Sequence, residues 1–528
     1  MEQTYLAWVS LINSKMDYKF SSFYDLIRTQ AKEKKSKTAL FVGEEKISYR
    51  DIHANVDRLS AYFSSRGIIK GDRVALFMRN SAEFIYTIFA LSKLGAVSVP
   101  INTFLKEAEL AYILEDSGVK ALVSSVVHDT IVSSDEVQEL LEFTLWEGGY
   151  KGNSPRHISF EQALSFPESI EEKVITIEDL AVIIYTSGTT GKPKGAMLSY
   201  KNIFSNAHGG LIHVKGSSKD RLIVFLPMFH SFTFSIGVIM PLYAGASMVI
   251  IQSLKPFSNI FKQVLVKRVT IFIGIPDVYN ALVKAKLPWY FMWFNRVRIF
   301  VSGAAALQPK TLDAMSNKFK RAKLLEGYGL SEASPAVCIN PIVKQKAKSV
   351  GTALYGYEIK VVDDNMLELP LGEVGDIIVK GDNVMLGYLN RPEATDETIV
   401  KGWLLTGDMG YMDSDGFLYI VDRKKDLVIS KGINIYPREL EEVIDSFSGV
   451  ASSAVIGIAD EKSGEIPVAY IELEEGILNI EISELRKHLR DNLANFKIPK
   501  QIHFIEALPK NATGKVLKRE LKAQLEEK

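Results

Sequence analysis

The sequence predicts an α/β protein: a large N-terminal domain with two βαβ-type sheets and a small antiparallel β subdomain, followed by a small α+β C-terminal domain. Three observations indicate this organisation. Short β-branched segments alternate with longer helical patterns over most of the chain, short strands and tight turns replace them after about residue 350, and a charged linker follows at residues 423–426. The alternation is typical of parallel sheets covered by helices.

The βαβ pattern is clearest early in the chain. Arg73–Met78 predicts a strand, Ala82–Leu94 a helix, and the apolar stretch Ala96–Pro100 the next strand. Apolar side chains at helical spacing within Ile52–Phe63 predict an amphipathic helix, and Gly67 is expected to end it. Strand, helix and strand in this order predict parallel pairing.

The second half of the large domain is predicted to be antiparallel. Ile359–Val362, Gly375–Val379 and Phe417–Val421 are short β-branched segments, and Asp413–Gly416 is a strong turn signal before the last of them.

A compact α+β pattern follows the charged linker. It comprises a hairpin across Leu427–Ile435, a helix after Pro437, and strands near Ser453–Ile458 and Val468–Leu473. We therefore predict an N-terminal domain over residues 1–423 and a mobile C-terminal domain over residues 424–528, with a hinge near Lys425.

Composition bounds the class of protein. The 528 residues contain 63 Lys and Arg and 63 Asp and Glu, so no global field of one sign would hold nucleic acid. The single cysteine, Cys338, excludes an internal disulfide framework and is expected to be a packed thiol. The first twenty residues lack a basic segment followed by a long apolar one, so we expect no secretory signal and a cytoplasmic protein.

One segment satisfies a simple membrane-span rule. Leu222–Leu254 carries no Asp, Glu, Lys or Arg, but Pro227, Pro241 and His230 interrupt it. These residues favour a strand and a broken helix buried in protein. A membrane-embedded transporter is the alternative, and peripheral association with the inner face of a membrane is left open.

The segment Thr186–Gly195 combines hydroxyls, glycines and lysines directly after the buried-strand candidate Ala181–Tyr185. Glycines let successive backbone N–H groups turn toward an anion, and the lysines add charge, so the segment suits a chain of phosphates. Pro193 after Gly191-Lys192 departs from the common nucleotide loop, which requires Ser or Thr there. A polar connection between two strands is the alternative.

The order of these ten residues resembles the phosphate loop of the adenylate-forming (AMP-binding) superfamily, which includes acyl-CoA synthetases. Seven further segments resemble six other motifs of that superfamily, in its order, and the resemblance extends from about residue 20 to about residue 520. They are Pro227–Ser231 at the acyl pocket, Ser302–Ala306 and Glu326–Glu332 around adenine and magnesium, Thr406–Asp408 with Asp422-Arg423 at the ribose, Lys431-Gly432 near the thiol channel, and Pro509–Lys515.

The resemblance implies two half-reactions. A carboxylate attacks the α-phosphorus of ATP to give acyl-AMP and pyrophosphate, and the thiolate of coenzyme A (CoA) then displaces AMP. ATP, Mg²⁺ and CoA are the implied cofactors. Because the first step joins two anions, it needs positive charge and fixed donors at the α-phosphate.

The resemblance also assigns roles to residues. Lys515, Glu332 and His230 are the implied catalytic residues, with Lys515 contacting the α-phosphate and the attacking carboxylate together. Thr186 and Glu332 are the implied Mg²⁺ ligands. The implied nucleotide- and CoA-binding residues are Thr186, Ser187, Gly188, Thr189, Thr190, Gly191, Lys194, Gly303, Ala304, Glu326, Gly327, Tyr328, Ser331, Asp408, Arg423, Lys425, Lys431 and Gly432.

Two positions depart from the superfamily pattern. Ser331 stands where threonine is usual, which keeps the hydroxyl, and Ile429 stands where many members carry a lysine, so no ligand contact is assigned there. Since the small domain carries both Lys431-Gly432 and Lys515, the resemblance implies that it rotates about the linker between the two half-reactions.

The apolar, charge-free segment Phe229–Tyr243 resembles fatty-acyl members and suits an alkyl chain. We therefore expect a medium- or long-chain fatty acid as substrate, with CoA as acceptor. An aryl-acid CoA ligase and a fatty acyl-AMP ligase that serves an acyl carrier protein are the alternatives. A non-catalytic nucleotide-binding relative is disfavoured because Lys515 and Glu332 are both present.

Overall fold

The computed structural model describes residues 17–150, 154–167, 173–186, 192–253, 258–430, 433–460, 463–511 and 514–526. The strands in chain order are β1 Thr38–Val42, β2 Glu45–Ser48, β3 Arg73–Phe77, β4 Val97–Pro100, β5 Ala121–Ser125, β6 Phe143–Glu147, β7 His157–Ser159, β8 Leu180–Thr186, β9 Lys194–Ser199, β10 Arg221–Val224, β11 Ser247–Ile250, β12 Ile271–Gly274, β13 Ile299–Ser302, β14 Lys323–Gly329, β15 Ala336–Ile339, β16 Thr352–Ala353, β17 Glu358–Val362, β18 Gly375–Lys380, β19 Gly387–Tyr388, β20 Ile399–Val400, β21 Trp403–Met412, β22 Leu418–Arg423, β23 Val428–Ser430, β24 Ile433–Ile435, β25 Val450–Asp460, β26 Gly464–Leu473 and β27 Gln501–Ile505.

The α-helices in chain order are α1 Phe23–Glu33, α2 Tyr49–Ser65, α3 Ala82–Leu94, α4 Glu107–Ser117, α5 Asp129–Val132, α6 Asp135–Gln138, α7 Phe160–Leu164, α8 Tyr200–His213, α9 Met240–Tyr243, α10 Ser258–Val266, α11 Pro276–Lys284, α12 Trp289–Phe294, α13 Pro309–Lys318, α14 Pro392–Thr398, α15 Pro437–Asp445, α16 Ile482–Asn492 and α17 Lys518–Glu526. Single 3₁₀ turns occur at Val126–His128, Ser331–Ala333, Lys424–Asp426 and Asn495–Lys497, and a π-helix at Thr233–Ile239.

Two largely parallel sheets form the large domain, as the alternation of strand and helix patterns predicts. The first has the order β7-β6-β5-β3-β4-β8-β9-β19, parallel from β7 to β8. The second has the order β2-β1-β11-β10-β12-β13-β14-β15-β16, parallel from β1 to β14. Strands β4, β5, β11, β12 and β13 are buried throughout, so both faces of these sheets are covered.

The other two sheets confirm the predicted antiparallel subdomain and the small α+β domain. Strands β17-β18-β21-β20, with β22 beside β21, form an antiparallel sheet. Strands β24-β23-β26-β25, with β27 parallel to β26, form the C-terminal sheet, against which α15 and α16 pack. The boundary predicted after residue 423 falls in the 3₁₀ turn between β22 and β23, and it stays a prediction.

Local sequence signals fix several helix ends. Ser81 caps α3 through its side chain, and Gly95 ends that helix at φ 71°. The helix expected before Gly67 ends at Ser65, and Gly67 follows at φ 80°. Helices and strands therefore begin and end close to the positions predicted from the sequence.

The charge-free segment that begins at Leu222 is a broken element inside the protein, as predicted. It passes through β10, the π-helix, α9 and β11, whose side chains are buried apart from Arg221. Over the described ranges, no helix is long and apolar enough to cross a membrane.

A buried carboxylate ties three strands of the second sheet together. Asp220, immediately before β10, accepts hydrogen bonds from Arg298 at 2.9 Å to each oxygen and from Thr270 at 2.8 Å. Burial alone would raise the pKa of Asp220, but the hydrogen bonds from Arg298 and Thr270 lower it. The stabilisation is therefore present near neutral pH and is lost as the pH falls through the lowered pKa.

We expect Asp220→Asn to lower the free energy of unfolding by about 2 kcal/mol, since it leaves a partly buried guanidinium without its carboxylate. Urea denaturation at pH 7 measures this change. Asp364→Asn is the matched control, because Asp364 pairs with Lys424 at 2.8 Å on the surface, where an ion pair contributes little and its loss is expected to leave stability nearly unchanged. Equal effects of the two substitutions would contradict the proposed role of Asp220.

Candidate active site

A cleft of about 2280 Å³ lies where the sheets of the large domain meet the C-terminal domain. The ends of β8 and β9, the segment after β13, the β14 region and the β21–β22 hairpin line it from the large domain, and residues 510–511, 514–520 and 522 line it from the small one. Most residues predicted for the nucleotide, metal and acyl sites face this one cleft.

The two predicted metal ligands lie side by side. Thr186 ends β8, and its hydroxyl donates to the Oε1 atom of Glu332 at 3.4 Å. Glu332 follows β14 in a 3₁₀ turn, and Tyr388 donates a second hydrogen bond to the same oxygen at 2.9 Å. One carboxylate and one hydroxyl suit Mg²⁺, which completes its coordination with phosphate oxygens and water. Within the described ranges no cluster of three or more His, Cys, Asp or Glu is arranged to hold a metal ion.

Five residues of the predicted phosphate loop, Ser187, Gly188, Thr189, Thr190 and Gly191, lie outside the described residues. The strands on either side of it are described, and Thr186 pairs with Lys194 across them in antiparallel register. The Lys194 ammonium lies 5.2 Å from the ring centroid of Tyr388, beside the Thr186–Glu332 pair.

A carboxylate on α4 anchors the loop's first stem. Tyr185 donates to Asp116 at 2.7 Å, and Arg391 donates to the other oxygen of Asp116 at 2.9 Å. On the second stem, the Pro193 carbonyl accepts a hydrogen bond from Tyr112 at 3.3 Å, and Arg391 also contacts the Tyr112 hydroxyl. Both stems are thereby held against the same helix.

His230 lies on the apolar side of the cleft. Burial lowers the pKa of His230 to about 4, so the ring is neutral at pH 7. Its Nδ1 atom accepts the backbone N–H of Phe232 at 3.3 Å, which leaves the proton on Nε2. The next residue, Ser231, exchanges a hydrogen bond with Ser331 at 2.8 Å and connects this segment to the Glu332 turn.

The predicted adenine side consists of the segment after β13 and the end of β14. A Cβ on Gly303 would lie 3.1 Å from the Phe232 ring, so glycine permits that ring to approach, and Ala304 follows at φ 71°. Glu326 accepts the backbone N–H of Leu307 at 3.3 Å, and burial raises the pKa of Glu326 to about 7.

Gly327 and Tyr328 complete that side of the cleft. A side chain at Gly327 would meet the Cys338 carbonyl 3.2 Å away. The Tyr328 hydroxyl donates to Asp408 at 2.6 Å, so the residue predicted to stack on adenine is joined to the residue predicted to bind ribose.

Asp408 and Arg423 are opposite residues in the β21–β22 pairing, with Arg423 Nε 3.4 Å from Asp408 Oδ1. Lys425 lies just beyond, in the 3₁₀ turn of the linker. Burial, reinforced by the charge of Arg423, lowers the pKa of Lys425. Lys431 and Gly432 lie outside the described residues, and Ile429, half-exposed on β23, does not line the cleft.

Lys515 approaches Asp408, Arg423 and Lys425 from the C-terminal domain. Asn511 braces its backbone, with Lys515 N–H donating to the Asn511 side chain at 3.0 Å and Asn511 N–H donating to the Lys515 carbonyl at 2.9 Å. Burial, together with the charges of Arg423 and Lys425, lowers the pKa of Lys515 to about 8, while Asp408 and Asp426 oppose the shift. A cation with so few counter-charges is suited to a bound anion.

An apolar recess opens from the cleft near His230. Helix α8 packs here against the π-helix and β15, and Gly210 leaves room beside Met240 and Ile236. We call this set the acyl recess: Gly210, Val214, Phe232, Ile236, Met240, Cys338, Ile339 and Leu354. Cys338 is buried, as predicted, and burial raises the pKa of its thiol.

Sequence reasoning missed several residues that hold this site together. Tyr388 orients Glu332, and Asp116 and Arg391 hold the first stem of the loop, whereas Ser231, which links the two active-site turns, belongs to the predicted Pro227–Ser231 motif. The only sequence signal was the segment Gly387–Arg391, in which an aromatic and a cation follow a glycine.

Known protein families and individual known proteins match this chain over nearly its whole length. The profile described as AMP-binding enzyme matches residues 27–389, and that of the AMP-binding enzyme C-terminal domain matches residues 439–515. The long-chain-fatty-acid–CoA ligase of Salmonella typhimurium is 32% identical over 96% of this chain and 94% of its own length. The 2-succinylbenzoate–CoA ligase of Bacillus cereus is 34% identical over 93% and 96%. The structure of o-succinylbenzoate CoA synthetase from Bacillus subtilis with ATP and magnesium ion has a TM-score of 0.81 at 28% identity, covering 94% of this chain and 99% of that one.

We expect Lys515 to react with acetic anhydride with a titration midpoint near pH 8, because its surroundings disfavour the charged form. Competitive labelling across pH, read by peptide mass spectrometry, measures the midpoint, with the exposed Lys46 as internal reference. Arg423→Gln is expected to move the Lys515 midpoint upward, since it removes a neighbouring positive charge. An unchanged midpoint in that variant would contradict the proximity of the two groups.

Proposed function

Because this chain belongs to the family of AMP-binding enzymes and is an AMP-forming acyl- or aryl-CoA ligase, we propose that its substrate is a medium- or long-chain fatty acid. ATP and CoA are its co-substrates and Mg²⁺ its metal. The observation that carries the proposal is the position of the acyl recess, which opens beside His230 into the cleft that also holds Thr186, Glu332 and Lys515.

In the first half-reaction, Thr186 and Glu332 would hold Mg²⁺ against the phosphates of ATP. Bound Mg²⁺ supplies positive charge that offsets the repulsion between the phosphates and the incoming carboxylate. Tyr388 keeps the Glu332 carboxylate in place through its 2.9 Å hydrogen bond. The donors of the Thr186–Gly195 segment are proposed to bind the β- and γ-phosphates.

Lys515 is proposed to bridge the two reacting anions. Its ammonium would contact the α-phosphate and the attacking carboxylate, where charge builds up as the new P–O bond forms and pyrophosphate leaves. Asp408 would accept from the ribose hydroxyls, and Arg423 would donate to them. Because a bound polyphosphate favours the charged form of Lys515, the pKa of this lysine is expected to rise when ATP is present.

His230 is proposed to orient the carboxylate of the fatty acid. Its ring is neutral and carries the proton on Nε2, so it can donate a hydrogen bond without adding a competing charge. The alkyl chain would then extend into the acyl recess between α8 and the π-helix. Burying each methylene there contributes about 0.8 kcal/mol.

The absence of charged residues from the described part of the acyl recess supports an apolar monocarboxylic acid as the substrate. Among the described residues that form it, none is a Lys, an Arg or a carboxylate. A second carboxylate, as in 2-succinylbenzoate, would be buried there without a partner, which is costly. An aryl acid without a second charge is the closest competitor.

For the second half-reaction we propose that the C-terminal domain, residues 424–528, rotates about a hinge near Lys425. Polar pairs join the domains in the present arrangement: Gln308 with Asp445 at 2.9 Å, Lys348 with Glu442 at 3.3 Å, and Lys510 with Asp277 at 3.5 Å. The two ion pairs are partly exposed, so separating them costs little. Rotation would withdraw Lys515 and present Lys431-Gly432 to the thiol.

We propose a cytoplasmic location, which the single buried cysteine supports.

The proposed function is tested by ATP–pyrophosphate exchange with fatty, aryl and dicarboxylic acids, followed by transfer to CoA or to a phosphopantetheinyl carrier protein. We expect exchange with medium- and long-chain acids and product formation with CoA. Exchange restricted to aryl acids would contradict a fatty acid as substrate. Transfer only to the carrier protein would contradict CoA as acceptor.

Lys515→Ala is expected to slow acyl-AMP formation by about 100- to 1000-fold, because a charge that acts on the reacting atoms is removed. Release of AMP from supplied acyl-AMP and CoA is expected to change little. Lys522→Ala, a nearby lysine of α17, is the control. Equal loss of both half-reactions in Lys515→Ala would contradict the assignment.

Gly210→Leu is expected to shorten the preferred acyl chain. A Cβ at this position already lies 3.1 Å from the Met240 sulfur, so a larger side chain fills the acyl recess. We expect kcat/KM for a long-chain acid to fall about tenfold or more, while that for a short-chain acid changes by about threefold or less. Parallel losses for both acids would show that the alkyl chain lies elsewhere.

A further inference from the structure

Helix α12 presents most of its aromatic side chains to solvent. Trp289 and Trp293 are each 73% exposed, Phe294 is 66% exposed and Tyr290 is 47% exposed. Single exposed apolar side chains are normal on protein surfaces, but four large rings within six residues form a contiguous patch. We call these four residues the aromatic platform.

The protein holds the aromatic platform in place from behind. Phe291, the buried residue of α12, packs edge-on against Phe261 of α10 with ring centroids 5.7 Å apart. The side chain of Asn295 donates to the Phe291 carbonyl at 2.8 Å, and the Arg321 guanidinium donates to the Trp293 carbonyl at 3.0 Å. The last carbonyls of the helix are thereby satisfied, and the four rings point outward from a braced helix.

Exposed cations flank the aromatic platform. The chain as a whole is neutral, yet residues 258–325 contain twelve Lys and Arg and two acidic residues, Asp277 and Asp313. Lys286 and Arg296 flank α12 on either side and are exposed. Across the described part of the chain, neither of them makes an ion pair with a carboxylate. Lys262, on the exposed side of α10, adds to the same surface.

We propose that the aromatic platform, with Lys286, Arg296 and Lys262 around it, is a surface that binds reversibly to a phospholipid bilayer containing anionic headgroups. Tryptophan and tyrosine favour the boundary between headgroups and acyl chains, because their rings are apolar and their N–H or O–H groups remain hydrated. Lysine and arginine beside them attract anionic lipid. Two such contributions together give stable but reversible attachment.

The positive charge also distinguishes a bilayer from a second copy of this chain. In a symmetric contact between two copies, each basic surface would face its twin, and the like charges would repel. An anionic bilayer complements both the rings and the charge. The surface contains no residue of the candidate active site, so this inference stands apart from the proposed function, although long-chain fatty acids also reside in bilayers.

Flotation of the full-length protein with vesicles tests the proposal. We expect binding to phosphatidylcholine vesicles that contain about 30 mol% phosphatidylglycerol and at least fivefold weaker binding to pure phosphatidylcholine. Sodium chloride at about 0.5 M is expected to weaken binding to the anionic vesicles, because it screens surface charge. Brominated lipid is expected to quench tryptophan fluorescence of the bound protein.

Two variants and their matched controls locate the surface. We expect Trp289→Ala/Trp293→Ala to reduce vesicle binding about tenfold or more and to abolish the quenching, whereas Val343→Ala/Leu478→Ala, which alters exposed apolar residues elsewhere, leaves both unchanged. Lys286→Glu/Arg296→Glu should reduce binding to anionic vesicles, and Lys35→Glu/Lys46→Glu, with the same change in net charge, should reduce it far less. Unfolding midpoints and ATP–pyrophosphate exchange with a short-chain acid are expected to stay at wild-type values in all four variants.

Wild-type binding by the Trp289→Ala/Trp293→Ala protein, or equal binding to neutral and anionic vesicles, would overturn the proposal. Light scattering that shows a dimer for the free wild-type protein and a monomer for this variant would also overturn the proposal. The aromatic platform would then be an interface between copies. If the double variant unfolds early, Trp293→Ala alone is measured, and unchanged quenching in that variant counts against the proposal.

Discussion

The part of the cleft around Lys515 depends on a local excess of positive charge that the neighbouring carboxylates do not fully neutralise. Lys515, Arg423 and Lys425 converge from two domains, and Asp408 and Asp426 are the carboxylates near enough to oppose them. Burial adds to the cost of keeping Lys515 charged. Such an arrangement is unfavourable until an anion enters, and it becomes strongly favourable when one does. Under the proposed function, the same imbalance would favour closure of the small domain over a polyphosphate.

The stems of the predicted phosphate loop are anchored in a way that also suits the binding of an anion. Loops that bind phosphate work through the direction of their backbone N–H groups, so their ends must not drift. Asp116 fixes the first stem through Tyr185, and Tyr112 meets Pro193 on the second. Arg391 joins Asp116 to the segment that also carries Tyr388, which holds Glu332. One hydrogen-bonded framework therefore positions Glu332, the proposed metal ligand, and both stems of the predicted phosphate loop.

Local patterns in the sequence predict local structure well here and long-range pairing poorly. The helix Ala82–Leu94 and the hairpin turn at Asp413–Gly416 follow from periodicity, caps and turn residues, and both are confirmed. Nothing local indicates that β1, near the N-terminus, pairs with β11, or that β19 joins the first sheet beside β9. For the site, the motifs identified the residues proposed to touch ligand. They did not identify the hydrogen-bond partners that orient them, such as Asp116 and Tyr388, since such partners are chosen by three-dimensional proximity.

Cys338, the only sulfhydryl of the chain, lines the acyl recess and therefore borders the place where a mixed anhydride would be held. Mixed anhydrides acylate thiolates readily, and an enzyme that makes one risks modifying itself. Burial raises the pKa of Cys338, which keeps its sulfur protonated and weakly nucleophilic. The apolar packing that is proposed to accommodate an alkyl chain would thus also protect the enzyme from acylating itself, and it would leave the activated acyl group for a thiol that arrives from outside.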